Sequence, residues 1–131
     1  MGNEKILVVD DEPDFSKIIK LRLETHNYEV ITAGDGKEAL EKIKQHEFKA
    51  VLMDILMPGF DGLKTLEIIR KQNKALPIYI ITAFCNEERF KQARELGASG
   101  FIVKANDLKE QIADITGLLR LSSKYKAQKP A

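Results

Sequence analysis

Five short runs of apolar and β-branched residues recur along this chain, and they constrain its fold more tightly than any other feature: Ile6 to Val9, Tyr28 to Ala33, Ala50 to Met53, Ile78 to Ile81 and Phe101 to Val103. Each has the length of a strand. The segments between and after them carry apolar residues at helical spacing: Phe15, Ile18 and Ile19; Ala39, Leu40 and Ile43; Leu63, Leu66 and Ile69; Phe90 and Ala93; and Leu108, Ile112, Ile115 and Leu119. The alternation predicts five βα units. Because the first, third and fourth runs are apolar at nearly every position, their strands should be covered on both faces, as in a parallel sheet flanked by helices. Local punctuation agrees with these boundaries. Asp11 stands ahead of Pro13 at one helix start, Gly34-Asp35-Gly36 reads as a turn feeding a second, and Asp107 with Glu110 resembles a capping box at another. Gly97 follows Leu96 where a left-handed helix stop is wanted.

With 131 residues the chain has the size of one domain, expected over residues 1–119. Residues 120–131 hold Arg120, Lys124, Lys126 and Lys129 and no acid, which suits a basic C-terminal tail or the stub of a linker. Elsewhere the charges balance: Lys plus Arg is 21, Asp plus Glu is 20 and the formal net charge is +1. No whole-molecule field exists to attract nucleic acid or a membrane, so neither is an expected partner. A single cysteine, Cys85, excludes an intramolecular disulfide. No signal-peptide pattern opens the chain and no stretch approaches the roughly 20 apolar residues of a membrane span, so the cytoplasm is the expected compartment.

The polar residues that end the strands are informative. The first run ends in Asp10 and Asp11, the third in Asp54, the fourth in Thr82 and the fifth in Lys104. Open α/β sheets bind ligands at these carboxyl ends, beside the point where strand order reverses; in the common order 2-1-3-4-5 that point lies between strands one and three. Asp10, Asp11 and Asp54 would then share one crevice. Carboxylates a few ångströms apart in a reduced dielectric repel by several kcal/mol unless a cation or proton intervenes. A hard divalent ion answers the need, and Mg2+, which uses one or two carboxylates together with substrate phosphate, fits better than calcium. Lys104 and Thr82 would supply an ammonium and a hydroxyl to further phosphate oxygens. The set reads as a phosphoryl-transfer site in which Asp54 is the nucleophile and becomes an aspartyl-phosphate.

Other chemistries fit less well. A calcium loop beginning at Asp10 would need glycine where Phe15 stands and a bidentate acid where Leu21 stands. No G-x-G-x-x-G or Walker A pattern follows any strand. His26 and His46 lack ligand-spaced companions and read as solvated.

These residues together resemble the receiver domains of two-component response regulators, including the single-domain chemotaxis type, over about residues 4–119. The resemblance rests on Ile6 to Glu12 with its Asp10-Asp11 pair, on Met53 to Gly62 around Asp54, on Ile80 to Ala83 containing Thr82, and on Gly97-Ala98 followed by Gly100 to Lys104. It implies a flavodoxin-like fold, Mg2+ held by Asp10, Asp11, Asp54 and the backbone carbonyl of Leu56, and transfer of phosphate to Asp54 from a sensor histidine kinase or phosphotransfer protein. It further implies that Thr82 and Lys104 grip the phosphoryl group, that Phe101 changes rotamer as Thr82 moves, and that a downstream protein binds around residues 86–119. The domain would catalyse only its own phosphorylation and dephosphorylation. In such domains the side chains two residues beyond the phosphorylated Asp and two beyond the Thr flank the approach of water; here these are Leu56 and Phe84, neither of which can orient a water, so slow loss of phosphate is expected. One departure stands out. Relatives usually carry proline after the lysine, in a cis bond, and here Ala105 follows Lys104.

Two alternatives stay open at this level. The same domain could open a longer regulator with a DNA-binding or enzymatic output. A Mg2+-dependent phosphatase acting on small phosphate esters would normally want a second acid two residues beyond the nucleophile, where Leu56 stands.

Overall fold

The computed structural model describes residues 4–55, 62–83 and 87–128, with side chains as far as residue 121. Strands and helices alternate as β1 (Glu4–Val9), α1 (Pro13–Glu24), β2 (Tyr28–Ala33), α2 (Gly36–Gln45), β3 (Ala50–Met53), α3 (Gly62–Gln72), β4 (Ile78–Thr82), α4 (Glu87–Glu95), β5 (Gly100–Val103) and α5 (Leu108–Gln128). The five strands pair in parallel in the order β2-β1-β3-β4-β5. This is the doubly wound, flavodoxin-like order expected from the sequence, and it places the carboxyl ends of β1 and β3 at the switch point.

Two-residue periodicity divides the sheet between two cores. On one face Leu7, Val9, Val51, Met53, Ile78 and Ile80 meet α2, α3 and α4 through Ala39, Leu66, Ile69 and Ala93. On the other, Ile6, Val8, Ala50, Leu52, Tyr79 and Ile81 meet α1 and α5 through Ile19, Leu23, Ile112, Ile115 and Leu119. Every residue of β3 and β4 is buried, which is why those runs show no polar alternation. At about 2 kcal/mol for each fully buried aliphatic side chain, this two-sided burial holds the central strands rigid beneath whatever their ends carry.

The helix ends follow local chemistry, with one correction. Asp35 caps α2, its carboxylate accepting from the Glu38 amide at 2.8 Å, and Asp107 accepts from the Lys109 and Glu110 amides at 2.9 and 3.4 Å at the start of α5. Gly97, with φ of +99°, makes the left-handed stop after α4. At α1, however, Glu12 rather than Asp11 is the N-cap, and its side chain makes no capping bond because it points elsewhere. The α5 helix runs to Gln128, past the domain end expected at residue 119. His46 is half-buried against Phe48, with ring centroids 5.7 Å apart, rather than solvated.

Gly62 opens α3 hard against the end of β3. A Cβ there would overlap Ile55 Cα and lie 2.6 Å from the carbonyl oxygen of Asp54, and neither backbone atom can swing aside as a side chain would. Gly62→Ala should therefore cost about 1–3 kcal/mol, as overpacking does in rigid interiors. A melting temperature equal to that of the parent protein would show that α3 can move away from Asp54.

Candidate functional site

The sheet ladder itself aligns the residues that end its strands. The Asp10 amide donates to Ala33 O at 3.0 Å, the Asp54 amide to Val9 O at 2.9 Å and the Lys104 amide to Thr82 O at 2.9 Å. Each of the three thus continues the hydrogen-bond pattern one residue past its strand, with its backbone fixed by the neighbouring strand. Thr82 closes β4 in register with Val103.

Side chains converge above this row. The Lys104 ammonium lies 2.8 Å from Asp10 Oδ2, 2.6 Å from Glu12 Oε1 and 3.1 Å from Asp54 Oδ2. It also sits 4.4 Å from the centroid of the Phe15 ring, whose π-face favours a cation. The Asp10 side chain is fully enclosed, that of Asp54 is 7% exposed and that of Lys104 10%, whereas the Glu12 side chain is 62% exposed. Burial works against the ammonium, yet contact with Asp10, Glu12 and Asp54 outweighs it and holds the Lys104 pKa above the ordinary lysine value. For Asp10 the balance falls the other way. Burial raises its carboxyl pKa despite the opposing influence of Lys104 and of the Glu12 amide, which donates to Asp10 Oδ1 at 2.9 Å.

Asp10, Asp54, Thr82 and Lys104 all lie at the carboxyl edge, as the sequence suggested, and Asp10, Thr82 and Asp54 are buried. Asp11 is exposed; the acid that joins Asp10 and Asp54 is Glu12, with one carboxylate oxygen from each of the three lying within 4.8 Å of the others. Sequence reasoning missed Glu12 as a site residue, although its place directly after two acids was a signal. Phe101 lies on β5 and packs edge-on against Phe90 of α4, with centroids 4.8 Å apart. Leu56 and Phe84 lie outside the described residues. The Lys104–Ala105 bond is trans.

The donor set suits a hard cation. Asp10 Oδ2 is buried and, although 2.8 Å from the ammonium, accepts no aligned hydrogen bond, so a carboxylate oxygen with spare capacity faces a cluster rich in negative charge. Three carboxylates share one ammonium, a local excess of two negative charges before Asp11 is counted.

Comparison with known proteins agrees with this geometry. Residues 6–116 match the response regulator receiver domain family. The chain is 39% identical over 116 residues to the response regulator ArlR of Staphylococcus saprophyticus, covering 88% of this chain and 52% of that protein. It is 36% identical over 122 residues to the alkaline phosphatase synthesis transcriptional regulatory protein PhoP of Bacillus subtilis, covering 92% and 50%. The chain therefore spans about half the length of these curated relatives. Among solved structures it resembles a CheY-like response regulator receiver domain protein from Methanospirillum hungatei, with a TM-score of 0.85, 27% identity and coverage of 95% and 99% of the two chains. It likewise resembles the response regulator TrrA from Thermotoga maritima in complex with Mg2+-BeF, with a TM-score of 0.76, 35% identity and coverage of 88% and 98%. By the order of its sheet, the residues at its carboxyl edge and a match running through all five strands, this chain belongs to the response regulator receiver domain family.

Proposed function

We propose that Asp54 accepts a phosphoryl group in a Mg2+-dependent reaction and that the acyl phosphate so formed switches a protein-binding surface. One observation carries this reading: the Lys104 ammonium is held by Asp10, Glu12 and Asp54 at the switch point of the sheet. In the transfer, an Asp54 carboxylate oxygen forms the new bond to phosphorus. The donor's bond to phosphorus, P–N in a phosphohistidine or P–O in a small acyl phosphate, breaks with its electron pair leaving on the donor. Asp54 is the better acceptor among the acids because Asp10 is fully enclosed and tied through Oδ1 to the Glu12 amide, whereas Asp54 keeps a margin of exposure. Lys104 then exchanges a carboxylate partner for phosphoryl oxygens, and Thr82 stands at the adjacent strand end to donate its hydroxyl.

Asp10 and Glu12 or Asp11, with Asp54, are the residues that would hold Mg2+. When bound, the ion supplies charge neutralisation for the acids and for the incoming phosphate. The similar response regulator TrrA was solved in complex with Mg2+-BeF, which supports the same assignment here. Natural donors would be a sensor histidine kinase or a phosphotransfer protein. The responding surface would follow α4, β5 and α5, where Phe101 links β5 to α4 through Phe90. On this reading the domain, residues 1–119, turns over no external substrate and works in the cytoplasm; no described helix is long and apolar enough to cross a membrane.

Incubation with acetyl phosphate and Mg2+, followed by intact-mass measurement, tests the proposal. Gain of one phosphoryl group, lost when a chelator replaces the metal, is the expected outcome. A protein that remains unlabelled over hours with millimolar donor and Mg2+ would refute it.

A further inference from the structure

Gln111 is a buried amide outside the acid cluster. It is 1% exposed and sits on α5 beside Ile112, on the face that packs into the core. Its Oε1 accepts from the Ala105 amide at 2.6 Å and its Nε2 donates to Val103 O at 3.3 Å. One side chain thus grips the backbone on both sides of Lys104. The third restraint is the Lys104 amide itself, donating to Thr82 O at 2.9 Å. Gln111 is anchored in turn, its own amide donating to Asp107 O at 3.0 Å in the first turn of the helix.

We propose that Gln111 is a positioning residue for Lys104. Residue 105 here is alanine, so its backbone carries an N–H that must be satisfied once β5 has ended and no neighbouring strand is left to accept it. A buried glutamine offers an acceptor and a donor at one fixed spacing, which no apolar residue and no ionised acid can do for both groups at once. Because Gln111 belongs to a helix whose Ile112, Ile115 and Leu119 are locked in the core, the restraint is rigid. The consequence falls on the ammonium: Lys104 must reach Asp10, Glu12 and Asp54 together, and a long flexible side chain does so reproducibly only from a fixed backbone. Removing the clamp should loosen the ammonium without removing it.

The role at Asp54 rests on the phosphoryl-acceptor reading, but the position of Lys104 can be measured without it. Gln111→Met keeps the length of the side chain and loses both bonds; Gln111→Glu, in its ionised form, keeps an acceptor for the Ala105 amide and loses the donor to Val103. Brief acylation of the native protein with acetic anhydride, quantified lysine by lysine, should find Lys104 protected in the parent protein. In Gln111→Met its modification should rise severalfold while the other lysines stay as they were, with Gln111→Glu intermediate. A uniform rise at all lysines would mean a merely structural role, and no rise at Lys104 would also overturn the proposal. The second readout is the initial rate of labelling at saturating acetyl phosphate and Mg2+. It should fall about tenfold in Gln111→Met, with the half-saturating donor concentration nearly unchanged. The same substitution in a Lys104→Ala background should have no further effect, because a residue acting only through Lys104 has nothing left to position. Equal losses in both backgrounds would refute the proposal. If the parent protein takes no label at all, the acceptor reading falls, and the acylation pattern alone decides the clamp.

Discussion

Asp54→Asn is expected to abolish labelling by acetyl phosphate while leaving the protein folded. The amide nitrogen is no nucleophile, and the amide oxygen is too weak a one to displace a phosphate leaving group, so the reaction loses its acceptor rather than a helper. Rescue by a neighbour is the alternative to weigh, since Asp10 and Glu12 each place a carboxylate oxygen within 4.8 Å of the one on Asp54. Asp10 is fully enclosed and committed through Oδ1 to the Glu12 amide, and Glu12 carries its carboxylate on an exposed side chain outside the strand row. Neither is fixed for attack. The fold should survive because the Asn oxygen can still accept from the Lys104 ammonium, now 3.1 Å from Asp54 Oδ2, and because one of three mutually repelling charges has gone. A melting temperature equal to the parent's or somewhat higher is expected. Intact mass decides the first half and a thermal melt the second; a labelled Asp54→Asn protein would move the acceptor elsewhere.

How far these features are visible in the chain depends on what each residue's environment leaves in the sequence. Residues of β3 and β4 are buried on both faces, so Ala50 to Met53 and Ile78 to Ile81 can be read as uninterrupted apolar runs, and an acid directly after such a run, as at Asp54, needs a partner. The same logic exposes Asp10. Glu12 was not legible because two roles open to an acid ahead of Pro13, capping the helix or reaching across the crevice, leave the same letter in the sequence. Only the approach of β5 on the far side of the sheet, which brings Lys104 to 2.6 Å, decides between them. Gln111 left a fainter trace. It lies among Leu108, Ile112, Ile115 and Leu119, where a polar residue interrupts an otherwise apolar stripe, but its partners at Val103 and Ala105 become neighbours only when α5 folds back on β5. Asp11 is exposed, and adjacency in sequence to Asp10 does not carry it into the enclosed side of the crevice.

Lys104→Ala should produce the largest stability change of any single substitution at the site, with a size that Mg2+ and lower pH reduce. The variant leaves Asp10, Glu12 and Asp54 without their shared cation. Two opposite effects compete: the protein no longer buries an ammonium, but two enclosed carboxylates lose their counter-charge. Like charges about 4 Å apart repel by about 4 kcal/mol at an effective dielectric of about 20, and removing one partner of a buried pair costs about 3–5 kcal/mol. The repulsion should win, with roughly 3 kcal/mol lost in chelator at neutral pH and a melting point lower by about 10 °C. Protonation limits the penalty. Burial already holds the Asp10 pKa above its ordinary value of 3.8, and without Lys104 the main opposing influence is gone, so the carboxyl will take up a proton more readily still. A native-state pKa above the unfolded one means that the folded protein binds the proton first as pH falls. Stability of the variant relative to the parent therefore improves on acidification through that native-state pKa toward the unfolded value of 3.8, and worsens as pH rises again. Mg2+ should act in the same direction at neutral pH, since an ion bound only by the folded protein at 100 times its dissociation constant adds about 2.7 kcal/mol. The variant should gain more from it than the parent does, because no ammonium competes for the acids. Labelling should still fall by about 10²-fold or more, for the metal can restore charge balance but not the donor to phosphoryl oxygen. Melts of both proteins in chelator and in Mg2+, at pH 7.5 and 5.5, separate these effects. Equal melting points in chelator at pH 7.5 would show that Lys104 does not hold the acid cluster together.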